Sequence, residues 1–390
     1  MSDEICKTCG RKLESPTAEP PPERRHTPEP PPEQLHAPAP SPEQLQALDE
    51  DLCGEHAPRA PDAEVPVLRD ALVEAFSHLA AAADRGGDVT GIPTGFHDLD
   101  TATGGLHRGD LVVLAARPGM GKSAFVSTLV TQLFEEDDDP ANEPTGDQPG
   151  SSATDPPDPR PGALLFSLRR PRVQLALRLV CSYAGIDLER FRSRATRDDW
   201  GRLTEAASKL STWPVWIDDR LDVTTAELAR RVRQVRAESR RALSKGAPPT
   251  ELAMVIVDEL LLMTTSPTAK PGQLPTRRLL ERLKQLATDE QVAMLLLAEL
   301  HDDDDDYGDA PRPELADLDE REGIARLADV VLFLHSKGYY AASVRREPAE
   351  LIIAANRHGP LRTVKLRYLP KVGRFTELLH PVDAFGAGDP

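Results

Sequence analysis

Residues 111–123 read LVVLAARPGMGKS, and no other stretch of the chain limits its possible folds so tightly. Leu111 to Ala115 are apolar and β-prone, so they form a strand, and a helix opens near Lys122 after a turn carrying Gly119 and Gly121. A strand that passes through such a turn into a helix leaves several backbone N–H groups unpaired around one concavity, and the positive end of the helix dipole adds to them. Such a concavity holds an oxyanion. Lys122 and Ser123 supply an ammonium suited to β and γ phosphates and a hydroxyl suited to Mg²⁺. The candidate nucleotide-binding set is therefore Ala116, Arg117, Pro118, Gly119, Met120, Gly121, Lys122 and Ser123, with Ala116 standing where the motif ordinarily has its first glycine. ATP with Mg²⁺ is the expected ligand.

The alternation of strand and helix continues through ALLFSL (163–168), PVWID (214–218), AMVIVD (253–258), AMLLLAE (293–299), DVVLFL (329–334) and ELIIAANR (350–357). Short apolar strands separated by helical stretches predict an α/β fold, a mostly parallel sheet flanked by helices on both faces. Asp258, at the end of the strand AMVIVD, is a candidate second Mg²⁺ partner; a strand-terminal aspartate can equally cap a helix. One helix is signposted by a capping box of Thr224 and Glu227, a stripe of Leu228, Val232 and Val235, and a stop at Gly246. Its other face carries Arg230, Arg231, Arg233, Arg236, Arg240 and Arg241, either a solvated face or a contact to a subunit or a phosphate backbone. Cys181, inside LALRLVCSYAG, reads as a small core residue.

Elsewhere the composition argues against packing. Of 37 prolines, 14 fall in residues 1–66 and 7 in 135–161, so the folded mass starts near residue 66. Residues 20–49 repeat with a period of ten (PPPERRHTPE, PPPEQLHAPA, PSPEQLQALD), which reads as an extended tether. The formal charge of −17 excludes a generally basic nucleic-acid binder, although nine acidic residues in 135–159 and the run Asp302 to Asp306 account for most of it. CKTC (6–9) and CGEH (53–56) pair Cys6 with Cys9 and Cys53 with His56, which suits a tetrahedral Cys₃His Zn²⁺ site across the tether, with unpaired thiols as the alternative. No apolar run is long enough for a membrane span and no signal peptide precedes the chain, so the expected location is cytoplasmic.

The block from Thr94 to Ser123 (TGFHDLDTATGGLHRGDLVVLAARPGMGKS), followed by LLFSL, VWIDD, VIVDELLLM, LAEL and ANRHGP, resembles the helicase core of the DnaB-like replicative helicases over roughly residues 65 to 380. That resemblance implies a RecA-like ATPase, a ring-shaped homohexamer that hydrolyses ATP between subunits and pulls single-stranded DNA through its channel in replication. With the candidate zinc arm at 1–60, which could dock a protein partner and stands where the family has a helical N-terminal domain, the expected layout is a linker helix at 65–88, an ATPase core at 89–380 with an acidic insert at 135–161, and a tail at 381–390. Arg357 matches the arginine finger given to the neighbouring subunit; as a strand-end residue it could instead pair with a surface carboxylate.

Several matched positions depart from the family. Arg169 stands where the family has the glutamate that activates water, and an arginine accepts no proton. Glu259, next to Asp258, is the nearby candidate for a replacement base, or else a plain surface glutamate. Glu299 stands where a glutamine senses the γ-phosphate; a carboxylate there repels phosphate unless protonated or displaced. Ala355 replaces a lysine two residues before Arg357. Asp319 and the HDDDDDYGD stretch (301–309), with Tyr307 the lone stacking candidate, put acid where DNA-contacting loops would be, unless they point elsewhere. Two functions follow: a DNA helicase ATPase using Lys122, Glu259 and Arg357, or a hydrolysis-impaired ATP-binding oligomer that serves as an interaction protein. A RecA-like recombinase or signalling ATPase fits the TGGLHRGD and NRHGP segments less well.

Overall fold

The computed structural model describes residues 89–135, 159–221, 223–244, 249–263, 277–300, 311–319, 323–337 and 348–378, together with Leu68. The zinc ligands Cys6, Cys9, Cys53 and His56, the tether, the linker helix apart from Leu68, the interior of the acidic insert, the aspartate run with Tyr307 and the tail lie outside these residues. No helix among the described residues is long and apolar enough to cross a membrane.

Chain order begins with α1 (His97–Thr103), β1 (Leu111–Ala116), α2 (Lys122–Glu135) and β2 (Arg160–Ser167). Three helices, α3 (Arg172–Ala184), α4 (Leu188–Arg194) and α5 (Arg197–Leu210), precede β3 (Val215–Asp218), α6 (Thr225–Leu243) and β4 (Thr250–Asp258). After a 3₁₀ turn at Leu260–Leu262 come α7 (Arg277–Glu290), β5 (Ala293–Glu299), the short α8 (Ala316–Asp319) and α9 (Ile324–Leu327), and β6 (Val330–His335). The described chain closes with β7 (Ala349–Asn356), β8 (Thr363–Leu369) and β9 (Arg374–Glu377).

These strands form one sheet in the order β3-β2-β4-β5-β1-β6-β7-β8-β9. The first six positions are parallel, and β6 to β9 run antiparallel to one another. β1 lies inside the sheet and all six of its residues are buried, which is why its sequence is continuously apolar instead of alternating. Val112, Leu114 and Ala116 enter one core with Phe125 and Leu129 of α2, while Leu111, Val113 and Ala115 enter the other with Leu228 of α6 and Leu283 of α7. Phe96, just before α1, stacks on Phe125 with ring centroids 5.1 Å apart, tying the segment ahead of β1 onto the helix after it.

The structure differs from the sequence reading in four places. Strands β8 and β9 were not anticipated: in TVKLRYL only Val364 and Leu366 are fully buried, so this strand alternates where the parallel strands are apolar throughout. The acidic insert is shorter than 135–161, because Glu135 still closes α2 and Arg160 already opens β2. Helix α6 ends at Leu243 with Ser244 as its cap, before Gly246. The arginine face of α6 is partly spent within the fold, with Arg231 on Asp218, and Arg233 and Arg236 on Glu290. Cys181 is buried as expected, and burial pushes its thiol pKa up.

The capping box is present in both directions. The Thr224 hydroxyl accepts the Glu227 N–H at 3.3 Å and the Glu227 carboxylate accepts the Thr224 N–H at 3.0 Å. Thr224→Ala should therefore lower stability by about 1 kcal/mol. Urea unfolding should show a lower midpoint at unchanged slope; an unchanged midpoint would contradict the role of the cap.

Candidate functional site

Because β1, β4 and β5 are parallel neighbours, their carboxyl ends meet at one edge, with Ala116 in register with Glu299 and Ser167 of β2 with Asp258. From that edge the chain turns through Gly119 (φ 79°) and Gly121 (φ 98°), left-handed values that L side chains rarely adopt. A Cβ on Gly121 would also lie 3.0 Å from Cζ of Phe375. Pro118 and Gly119 are exposed at the tip of the turn, whereas Met120 anchors it in the core. Arg117 is drawn off sideways, its Nη1 donating to the Pro311 carbonyl at 2.6 Å, so it serves the turn through its backbone.

The first two residues of α2 carry the polar chemistry. Lys122 Nζ donates to the Ala116 carbonyl at 2.9 Å and lies 3.5 Å from Glu299 Oε2. Burial lowers the pKa of this ammonium, and Glu299 and Glu259 work against that fall. Ser123 Oγ donates to Asp258 Oδ2 at 2.9 Å. Two hard oxygen donors brought together from different elements at the mouth of the turn fit a Mg²⁺ ion.

Arg169, at the end of β2, does not stand free. Its Nη1 donates to Glu259 Oε2 at 2.6 Å and to Glu299 Oε2 at 2.9 Å, so one guanidinium bridges two carboxylates. Glu259 is only 3% exposed, which removes its reading as a plain surface glutamate. Burial raises the Glu259 pKa and repulsion from Glu299 adds to the rise, against the hydrogen bond from Arg169. For Glu299 burial also raises the pKa, but Lys122, the hydrogen bond with Glu259 and Arg169 outweigh it and hold the group below its usual value. The more enclosed carboxyl thus keeps its proton more readily, and the one beside Lys122 is ionised. Of the two conditions set for a carboxylate at 299, neither is met in the chain alone: the group is held ionised, and it lies on the Lys122 and Arg169 cations beside the turn.

Arg357 lies at the other end of the sheet. β7 is antiparallel to β6, so its last residues return to the amino end of the parallel strands. There Arg357 Nη1 sits 3.2 Å from Asp329 Oδ1, and its backbone N–H donates to the Asp329 carbonyl at 3.0 Å. Asp329 also accepts from Lys284 at 2.5 Å and from the Leu111 N–H at 2.8 Å. Beside it, His358 Nε2 meets Asp110 Oδ2 at 2.5 Å and its ring lies 4.2 Å from that of His107. Burial and the nearby Asp329 raise the Asp110 pKa, opposed by His358. The six residues of β1 separate this cluster from the glycine turn by about 20 Å. Arg357 therefore cannot reach the turn of its own chain, and its side chain is 55% exposed.

Two arginines were passed over in the sequence. Arg170 has a buried Nη1 with no hydrogen-bond partner, and Arg178 on α3 has its pKa lowered by burial and then by Arg170, against the pull of Tyr368 and Asp258. Arg178 thus lies within electrostatic range of Asp258, and Arg170 within range of Arg178. No local spacing signals this pair, because Arg170 precedes Pro171, the N-cap of α3, and Arg178 lies inside that helix.

Comparison with known proteins gives a consistent outcome. Residues 91–377 match the family described as DnaB-like helicase C terminal domain. The replicative DNA helicase DnaC of Bacillus subtilis (strain 168) is 30% identical over 322 residues, covering 82% of this chain and 63% of that protein. The replicative DNA helicase DnaB of Geobacillus stearothermophilus is 30% identical over 314 residues, covering 80% of this chain and 62% of that protein. This chain thus spans about three fifths of the length of the curated relatives it matches. Among solved structures, the ATPase domain of G40P superposes with a TM-score of 0.64 at 26% identity, covering 81% of this chain and all of that one. A DnaB-like replicative helicase studied for its interactions with primase gives 0.60 at 25% identity, covering 86% of this chain and 71% of that one. With a parallel α/β sheet, a glycine turn closed by Lys122 and Ser123, and this match over residues 91–377, the chain belongs to the DnaB-like helicase C-terminal domain family.

Proposed function

We propose that the chain binds ATP with Mg²⁺ at the turn 116–123 as one subunit of a homo-oligomeric, DnaB-like ring, coupling the nucleotide cycle to movement on single-stranded DNA. The observation that carries this reading is the 2.9 Å contact of Ser123 with Asp258 directly beside the Lys122 ammonium. In it, the backbone amides of 117–123 and Lys122 hold the phosphates, and Ser123 and Asp258 hold the metal. Bound there, Mg²⁺ would neutralise charge on the β and γ oxygens. Glu259 orients the attacking water and takes its proton once Arg169 swings aside, and Arg178 adds positive potential on the side of Asp258. Arg357 of a neighbouring copy supplies charge to the transition state. Zinc held by Cys6, Cys9, Cys53 and His56, on an arm that docks a partner, belongs to the same proposal and rests on spacing alone.

A second reading is favoured by one observation: both carboxylates near the site are engaged by Arg169, at 2.6 and 2.9 Å. In that reading the protein binds ATP, turns it over negligibly and acts as an oligomeric interaction protein. Steady-state ATPase with and without single-stranded DNA separates the two. A working helicase gives DNA-stimulated turnover that falls by about 10² to 10⁴ in Glu259→Gln. An impaired binder gives negligible wild-type turnover and a gain in Arg169→Glu, which returns a carboxylate to the end of β2.

The role given to Arg357 has its own check. Lys122→Ala and Arg357→Ala should each abolish turnover when assayed alone. A 1:1 mixture of the two should recover roughly a quarter of wild-type activity, since only junctions pairing an intact turn with an intact Arg357 work. No recovery on mixing would remove Arg357 from the neighbouring site.

A further inference from the structure

We propose that Glu299 is a built-in stand-in for the terminal phosphate, and that it makes this site favour a nucleoside diphosphate over the triphosphate. The inference rests on the ATP-site reading above and extends it to which nucleotide state is held. Glu299 ends β5 in register with Ala116, the residue that opens the glycine turn. One of its oxygens, Oε2, lies 3.5 Å from Lys122 Nζ and 2.9 Å from Arg169 Nη1. An ammonium from the start of α2 and a guanidinium from the end of β2 thus converge on a single anionic atom. Those two cations are also the groups to which the γ-phosphate of a nucleotide lying in the turn would be drawn.

The two nucleotides meet this arrangement differently. A diphosphate ends at its β-phosphate, held by the turn amides and Lys122, and leaves the bridge from Arg169 to Glu259 and Glu299 closed. A triphosphate brings further negative charge to the atom that the cations already share. Either Glu299 leaves both cations or two anions stay side by side in a site where Glu299 is only 16% exposed and Glu259 only 4%. Lys122 and the bond from Arg169 hold Glu299 ionised, so protonation does not remove the conflict near neutral pH. Before any turnover Arg169 is also anchored on the buried Glu259, which holds the guanidinium at this edge of the site.

Titration calorimetry of the full-length protein with Mg·ADP and Mg·ATPγS tests this directly. Wild type should bind ADP more tightly than ATPγS. Glu299→Gln, of equal size but uncharged, should tighten ATPγS by about tenfold while moving ADP by less than about threefold, because the repulsion acts on the terminal phosphate alone. A wild type that prefers ATPγS would overturn the proposal without recourse to any variant, as would a preference that Glu299→Gln leaves unchanged. Failure of both nucleotides to bind wild type would overturn the underlying ATP-site reading, and this inference with it.

Discussion

A parallel sheet must end all its strands on the same edge, and everything proposed for this protein depends on that constraint. The register pairs Ala116 with Glu299 and Ser167 with Asp258, so residues distant in sequence present their side chains around one turn. Strand β1 is buried on both faces, and shifting it by one residue would exchange Val112 and Leu114 for Val113 and Ala115 between the two cores. The site inherits its precision from that apolar lock. Neither Lys122 nor Ser123 needs a long-range contact to be positioned, because the first turn of α2 follows the strand within a few residues.

The unusual residues at this edge make sense only together. The resemblance read from the sequence implies an acid where Arg169 stands and a neutral side chain where Glu299 stands. Placed alone, a guanidinium at 169 would keep Glu259 as its acidic partner. A lone carboxylate at 299 would share with the buried Glu259 the attraction of Lys122 alone. As observed, one guanidinium joins both carboxylates, and one of these also touches the phosphate-turn ammonium. Removing any one member of such a network exposes the charges of the rest, so their effects on stability and binding should not add. The two substitutions therefore read as one relocated charge cluster rather than two separate losses.

Legibility in the sequence followed the range of the interaction. The glycine turn, the apolar parallel strands and the Thr224–Glu227 capping box are written within a few residues, and each appears where its local pattern put it. Strands β8 and β9 escaped because an antiparallel meander at the sheet's end alternates and contains charged residues, a pattern shared with exposed loops. The bridge from Arg169 escaped for another reason. Its partners lie 90 and 130 residues away, so only the strand order brings them within 3 Å. Sequence reading marks Arg169 and Glu299 as departures and Glu259 as a candidate base, without the means to see that they answer one another.

Arg357 and the glycine turn sit at opposite ends of β1, and that separation limits how copies of the chain can cooperate. A face that carries Arg357 can reach a phosphate turn only on another copy. A contact in which each copy gives one Arg357 to one neighbour and receives one from the other is head-to-tail, and such contacts close into a ring or continue as a filament. Asp329 holds Arg357 beside the start of β1 in the isolated chain, with Lys284 sharing the same carboxylate. Transfer of Arg357 to a neighbour's phosphates would thus leave Asp329 still paired, so the buried acid is not stranded when the arginine departs. Under the proposed role, a second cation on Asp329 would let a strand-end arginine be held in the free chain and given up at an interface.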